Sequence, residues 1–112
     1  MALIYHLTFK DAWESARPTG EYAAPSLAEE GFIHCSKDIP QLLRVAARLY
    51  PGEDRLLVLD VDQDKLTAPL KNEPSRSGEI YPHIYGKLNA EAVVRERVLL
   101  VNLDGSHHLE AS

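Results

Sequence analysis

The sequence predicts a single mixed α+β domain. Two segments, residues 2–8 and 32–36, alternate apolar and polar positions as strands do, whereas Pro40–Tyr50 repeats its apolar positions at helical spacing. The chain has 112 residues, 45% hydrophobic and 26% charged, which suits one core and leaves little room for a second. No internal repeat or linker-like tract divides it.

In the first strand, Leu3, Tyr5 and Leu7 share one face, and Ile4, His6 and Thr8 share the other. Phe9, Ala12, Trp13 and Ala16 then follow helical spacing, and Pro18-Thr19-Gly20 ends that short helix near Arg17. Ser26 and Glu29 stand at capping-box spacing with Gly31 as a stop, predicting one or two further turns. In the next strand Phe32, His34 and Ser36 oppose Ile33 and Cys35. Leu42, Val45, Ala46 and Leu49 define the Pro40–Tyr50 helix, which Ser36 or Asp38 can cap and Pro51-Gly52 ends.

Arg55–Asp62 reads as a central strand with an Asp-rich exit turn, and Glu73–Glu79 as an exposed loop. Ile80–Gly86 carries Pro82, which has no N–H to give a ladder and so predicts an edge or an irregular turn. Leu88–Val93 suits one helical turn, Val93–Leu103 a final strand, and residues 104–112 a polar tail in which His107 and His108 are solvated.

The formal net charge is −5, from 12 basic and 17 acidic residues, and no basic stripe is present, which argues against extended nucleic-acid binding. One phosphate group can still be held by a local arginine. Cys35 is the single cysteine, so no internal disulfide forms, and its face predicts an inert, buried thiol. No apolar run is long enough to span a membrane and no leader pattern opens the chain, so a cytoplasmic location is expected.

His6, His34 and His83 lie on separate elements without metal-ligand spacing, so no metal is expected. His34 and Ser36 share a strand face just before a helix begins, where backbone N–H groups would bind an anion beside the imidazole and the helix dipole would keep that ring neutral. The stretch "PHIYG", Pro82 to Gly86, packs a histidine and an aromatic hydroxyl into an irregular segment and is expected to meet His6 and His34 in one cleft.

"IYH" at Ile4–His6, Trp13, "SLAEEGFIHCS" at Ser26–Ser36, Gln41, Glu73 and "YPHIYGKLNAEAVV" at Tyr81–Val94 together resemble the domain of unknown function 952 family. That resemblance implies an ADP-ribosyltransferase-like domain over residues 1–103, with a split, bent β-sheet, a few short helices and NAD in the cleft. His6 and His34 sit at positions similar to the paired histidines of the RNA 2'-phosphotransferase branch. With it, His6 and His34 are expected to be catalytic, Glu73, Glu79 and His83 are candidates for the remaining catalytic role, and Thr8, Ser36, Gln41, Arg76, Tyr85 and Gly86 are expected around the nucleotide, with Arg48 and Arg76 as its phosphate partners. Tyr85 would stack on a ring of the nucleotide. The expected activity is glycosyl or ADP-ribosyl transfer to a small molecule or nucleic-acid end; the alternative is a non-catalytic binding module of the same fold.

Overall fold

The computed structural model describes residues 2–110, so Ala111 and Ser112, the end of the expected tail, lie outside the described residues. The chain runs β1 (Leu3–Phe9), α1 (Lys10–Ala16), β2 (Glu21–Tyr22), α2 (Pro25–Glu30), β3 (Ile33–His34), α3 (Ile39–Leu49), β4 (Leu56–Asp62), β5 (Leu70–Pro74), β6 (Ile80–Ile84), β7 (Leu88–Asn89), β8 (Val93–Val101) and β9 (His107–Leu109). These strands form a four-stranded sheet in the order β1-β4-β8-β9, a three-stranded sheet β3-β6-β5 and a two-stranded pair β2-β7. Every pairing between them is antiparallel. The architecture is a small α+β fold with curled antiparallel sheets and few short helices.

β4 is buried along its whole length because both of its faces are covered. Leu57, Leu59 and Val61 pack with Ile4, Trp13, Tyr22, Ile33, Ile84 and Leu88, beneath α1 and the three-stranded sheet. Leu56 and Val58 point the other way and meet Leu42 and Ala46 of α3 together with Leu99 of β8. A strand buried on both faces reads as an uninterrupted apolar run, which is how Leu56–Val61, broken only by Asp60, reads in the sequence. Asp60 stays inside because Arg95 donates to one of its carboxylate oxygens at 2.9 Å and Arg97 to the other at 2.8 Å.

Several expectations are corrected. Pro82 sits in the middle strand of its sheet, not at an edge. The ladder tolerates it because β3 pairs only through Ile33 and His34; at the next position Cys35 donates its N–H to the Pro82 carbonyl at 2.9 Å, and no reciprocal bond is needed once the chain leaves the sheet. The expected tail folds back instead: β9 pairs with β8, and His107 is buried with Nε2 donating to the Glu53 carbonyl at 2.9 Å. Ser26 does not cap α2, whose N-cap is Ala24; its hydroxyl donates to the Phe32 carbonyl at 2.8 Å. Gly31 is the α2 stop as expected, at φ 89°. The expected loop from Glu73 begins only after Pro74, since Leu70–Pro74 pairs with Ile80–Ile84.

Asp60→Ala should destabilise the protein by about 3–5 kcal/mol, because it leaves the largely buried Arg97 without its counter-charge. Arg95→Ala should cost under about 1 kcal/mol, since the Arg95 side chain is half exposed. Urea unfolding of the two variants checks the ranking, and equal losses would overturn it.

Candidate functional site

A cleft of about 780 Å³ runs along the outer edge of β1, walled by α2, the end of α3 and the β5–β6 hairpin. It exists because β1 is an edge strand whose outward pairing is brief. Tyr5 exchanges two backbone hydrogen bonds with Ser36, at 2.9 and 2.7 Å, and the chain then turns away into α3. By the alternation of an antiparallel strand, the N–H and C=O of Leu7 face the same outward side, and they carry no backbone bond among the described residues.

Of the residues the sequence nominates, His6, Thr8, His34, Ser36, Arg76 and His83 line this cleft, as does Arg48. The expected convergence of His6, His34 and part of "PHIYG" therefore occurs. Glu73 and Tyr85 stand behind His83. Gln41 and Gly86 are elsewhere. Gln41 is fully buried and spends its amide on structure, accepting from the Lys37 N–H at 2.8 Å and donating to the Ile80 carbonyl at 3.0 Å. Gly86 is needed for close packing, since a Cβ there would come within 2.8 Å of the Ala68 Cβ.

His6 is committed on both ring nitrogens. The His34 carbonyl, 2.7 Å from Nδ1, can only accept, so Nδ1 carries the hydrogen and Nε2 accepts from the Tyr22 hydroxyl at 3.2 Å. The Thr8 hydroxyl then donates to the Tyr22 oxygen at 2.7 Å, which completes a one-directional relay. Burial holds the His6 pKa down to about 4. Both ring nitrogens of His6, which the resemblance nominates as catalytic, are thus engaged within the protein. Cys35 is buried as expected, and burial pushes its thiol well above the ordinary range.

The anion cradle expected beside Ser36 is absent from the described residues, because Asp38 caps α3 by accepting from the Gln41 N–H at 2.8 Å and Pro40 has no N–H. The His34 ring is half exposed and bonded through Nε2 to Glu30 at 2.6 Å. His83 is buried, with Nδ1 donating to Glu73 Oε1 at 2.8 Å while the Tyr85 hydroxyl donates to the same oxygen at 2.5 Å. Those two bonds, Tyr85 first, hold the Glu73 carboxyl below its ordinary pKa. Phe32 stacks on the His83 ring, with centroids 4.0 Å apart, and the His34 ring stands across both. The Lys71 ammonium lies 4.7 Å from the centre of the Tyr85 ring, so Tyr85 is engaged within the protein and is not presented to the cleft for stacking.

The sequence reading missed Tyr22 and Glu30. No local pattern marks Tyr22, and the Glu30-to-His34 spacing of four crosses the Gly31 helix stop, so helical periodicity could not pair them. Arg48 and Arg76 form no ion pair among the described residues. No group of three or more His, Cys, Asp or Glu side chains among the described residues is placed to hold a metal ion, and no helix there is long and apolar enough to cross a membrane.

The family model described as "Protein of unknown function (DUF952)" matches residues 7–96. The chain belongs to this family. The crystal structure of protein CC0527 from Caulobacter crescentus is similar at 35% identity and a TM-score of 0.83, covering 95% of this chain and 93% of that one. The solution structure of CC0527 is similar at 34% identity and a TM-score of 0.81, covering 95% and 91%. No curated protein matches the chain. In this DUF952 protein the matched segment contains Thr8, His34, Ser36, Glu73 and His83, and β1 from Leu7 onward, so the open edge and two of the three cleft imidazoles fall inside the matched region, whereas His6 lies one residue before it.

The neutral His6 makes a pH prediction. Its folded pKa of about 4 lies below the ordinary 6.5, so between these values the unfolded chain binds a proton that the folded chain does not. This contribution to stability is fully present above pH 6.5 and is lost as pH falls toward 4, amounting to about 3 kcal/mol. Urea unfolding across that range should show the slope in the wild type and not in His6→Ala; parallel curves would exclude His6 as its source. At neutral pH, Tyr22→Phe should cost about 1–3 kcal/mol by stranding Thr8 and His6.

Proposed function

We propose that the cleft binds a nucleotide of the NAD or ADP-ribose type and that this DUF952 protein is a glycosyl or ADP-ribosyl transferase acting on a small molecule or nucleic-acid end. The observation that carries the reading is the open β1 edge at Leu7. A primary carboxamide such as that of nicotinamide offers one donor and one acceptor in a plane, which complements one free backbone N–H and C=O. Arg48 and Arg76, without ion-pair partners among the described residues, suit a pyrophosphate. The volume of about 780 Å³ lies within the range of small-molecule sites.

An ADP-ribosyltransferase-like kinship, on the RNA 2'-phosphotransferase-like side, is supported by the division into a four-stranded and a three-stranded sheet with the cleft at their junction. When bound, NAD would supply a nicotinamide–ribose bond as the one to be broken. Toward such a ligand, Ser36 would offer its hydroxyl to ribose. His83, oriented by Glu73, would take the proton of an acceptor hydroxyl at Nε2. One observation favours the non-catalytic reading: both His6 nitrogens are already engaged, so the first of the paired histidines has nothing left to offer a substrate.

Thermal unfolding and calorimetry against NAD, ADP-ribose, nicotinamide and 2'-phosphorylated RNA ends, with chromatography for released nicotinamide, test the proposal. At a hundredfold excess over Kd, a ligand should stabilise the fold by about 2.7 kcal/mol, roughly 10 °C for a domain of this size. Arg76→Ala should weaken binding by about 1–3 kcal/mol. Stabilisation without nicotinamide release would establish the binding module. No stabilisation by any of the four would overturn the nucleotide reading.

A further inference from the structure

His34 and His83 are two imidazoles in one cleft, each held by its own carboxylate. Glu73 fixes His83 Nδ1 at 2.8 Å and Glu30 fixes His34 Nε2 at 2.6 Å. The ring centroids are 5.1 Å apart and the planes nearly perpendicular, at 87°. That assignment leaves His83 Nε2 and His34 Nδ1 without hydrogen-bond partners among the described residues, on rings that both line the cleft. The two rings are set differently. His83 is buried against Phe32, with a fixed tautomer that makes Nε2 a lone-pair acceptor, whereas His34 is half exposed and can exchange protons with water.

Two imidazoles at this separation can serve the entering and leaving oxygens of one in-line displacement, one removing a proton and the other supplying it. Arg76, on the hairpin that carries His83, provides a positive charge in the same cleft for the phosphoryl oxygens. The acidic chain disfavours long polyanions, so the matching substrate is short.

We propose that His34 and His83 form an acid–base pair that cleaves short single-stranded ribonucleotide phosphodiesters without NAD or a metal. His83 Nε2 takes the proton from a ribose 2'-hydroxyl, and the 2'-oxygen forms a bond to phosphorus. The bond from phosphorus to the 5'-oxygen breaks, and protonated His34 gives that oxygen its proton from Nδ1. The products are a 2',3'-cyclic phosphate and a free 5'-hydroxyl. The transfer moves one proton from His34 to solvent-side product and one from substrate to His83, so the pair returns to its starting state by exchange with water. Glu73 and Glu30 are positioning residues.

The test incubates the full chain with the dinucleotide UpA and its 2'-deoxy analogue in EDTA with no NAD, and follows products by phosphorus NMR. The expected result is cyclic phosphate from UpA and none from the deoxy analogue. His34→Ala and His83→Ala should each lower the rate about a hundredfold or more, the scale of general acid–base catalysis. Added imidazole should partly restore His34→Ala, because that site is open to solvent. Glu73→Gln should lower kcat more than it raises KM. Circular dichroism and thermal unfolding confirm that each variant is folded. The proposal is overturned if folded wild type leaves UpA intact, if either histidine variant keeps wild-type rate, or if EDTA abolishes the activity. Because NAD is absent throughout, failure here leaves the nucleotide-transfer reading to its own assay.

Discussion

Two backbone hydrogen bonds between Tyr5 and Ser36 join the four-stranded and three-stranded sheets, and the cleft depends on their being so few. On the β3 side, Ile33 and His34 complete their pairs with β6, and Cys35 then meets Pro82. Proline cannot return a hydrogen bond, so the ladder ends there and the chain is released toward β1. Ser36 makes its single bridge, Asp38 caps α3, and the chain has left the sheet. An ordinary residue at position 82 could extend the β3–β6 ladder by one bond. The side-chain bond from His6 to the His34 carbonyl reinforces this junction, which is why a residue nominated for catalysis is locked into the scaffold.

Those parts of the fold that bury one face or both were legible in the sequence. The alternation of Ile4, His6 and Thr8, the α3 stripe and the apolar run of β4 each report a strong local pattern of burial. Of the short strands, β3 was read within the alternating stretch 32–36 and others were not. Leu70–Pro74 is largely polar and exposed, and is a strand only because β6 lies beside it in register; β7 and β9 likewise owe their pairing to partners distant in sequence. Of the candidate site, residue types were legible and partnerships were not. His83 was nominated and so was Glu73, but their bond depends on the β5–β6 register, which places Lys71 opposite His83 and Glu73 two residues along on the same face.

The histidines show how far neighbours decide a role. His6, His83 and His107 are all buried, yet only His83 combines a carboxylate on one nitrogen with a cleft on the other side. His6 is enclosed by a carbonyl and a phenol, and its neutral form is the one that fits. His107 donates to a carbonyl, its Nδ1 is buried without a partner among the described residues, and its ring does not line the cleft. A histidine count in the sequence could not separate these cases, because what separates them is non-local.

Gln41, nominated for ligand contact, and its partner Glu79 instead set the shape of the cleft wall. Glu79 closes the hairpin tip, where Ser75 donates to its carbonyl at 2.8 Å, and its carboxylate meets Arg44 of α3, the Gln41 amide at 3.3 Å and the Tyr81 hydroxyl at 3.2 Å. The Arg44 bond, above the others, keeps that carboxyl below its ordinary pKa. Gln41 meanwhile holds the Ile80 carbonyl, so α3 grips β6 at its first residue and the loop at its last. Arg76 is carried between Ser75 and Glu79 on this fastened turn, and Arg48 is carried on α3 itself. Arg48 and Arg76 therefore lie on two elements that Gln41, Arg44 and Glu79 fasten to each other, on the side of the cleft across from the β1 edge.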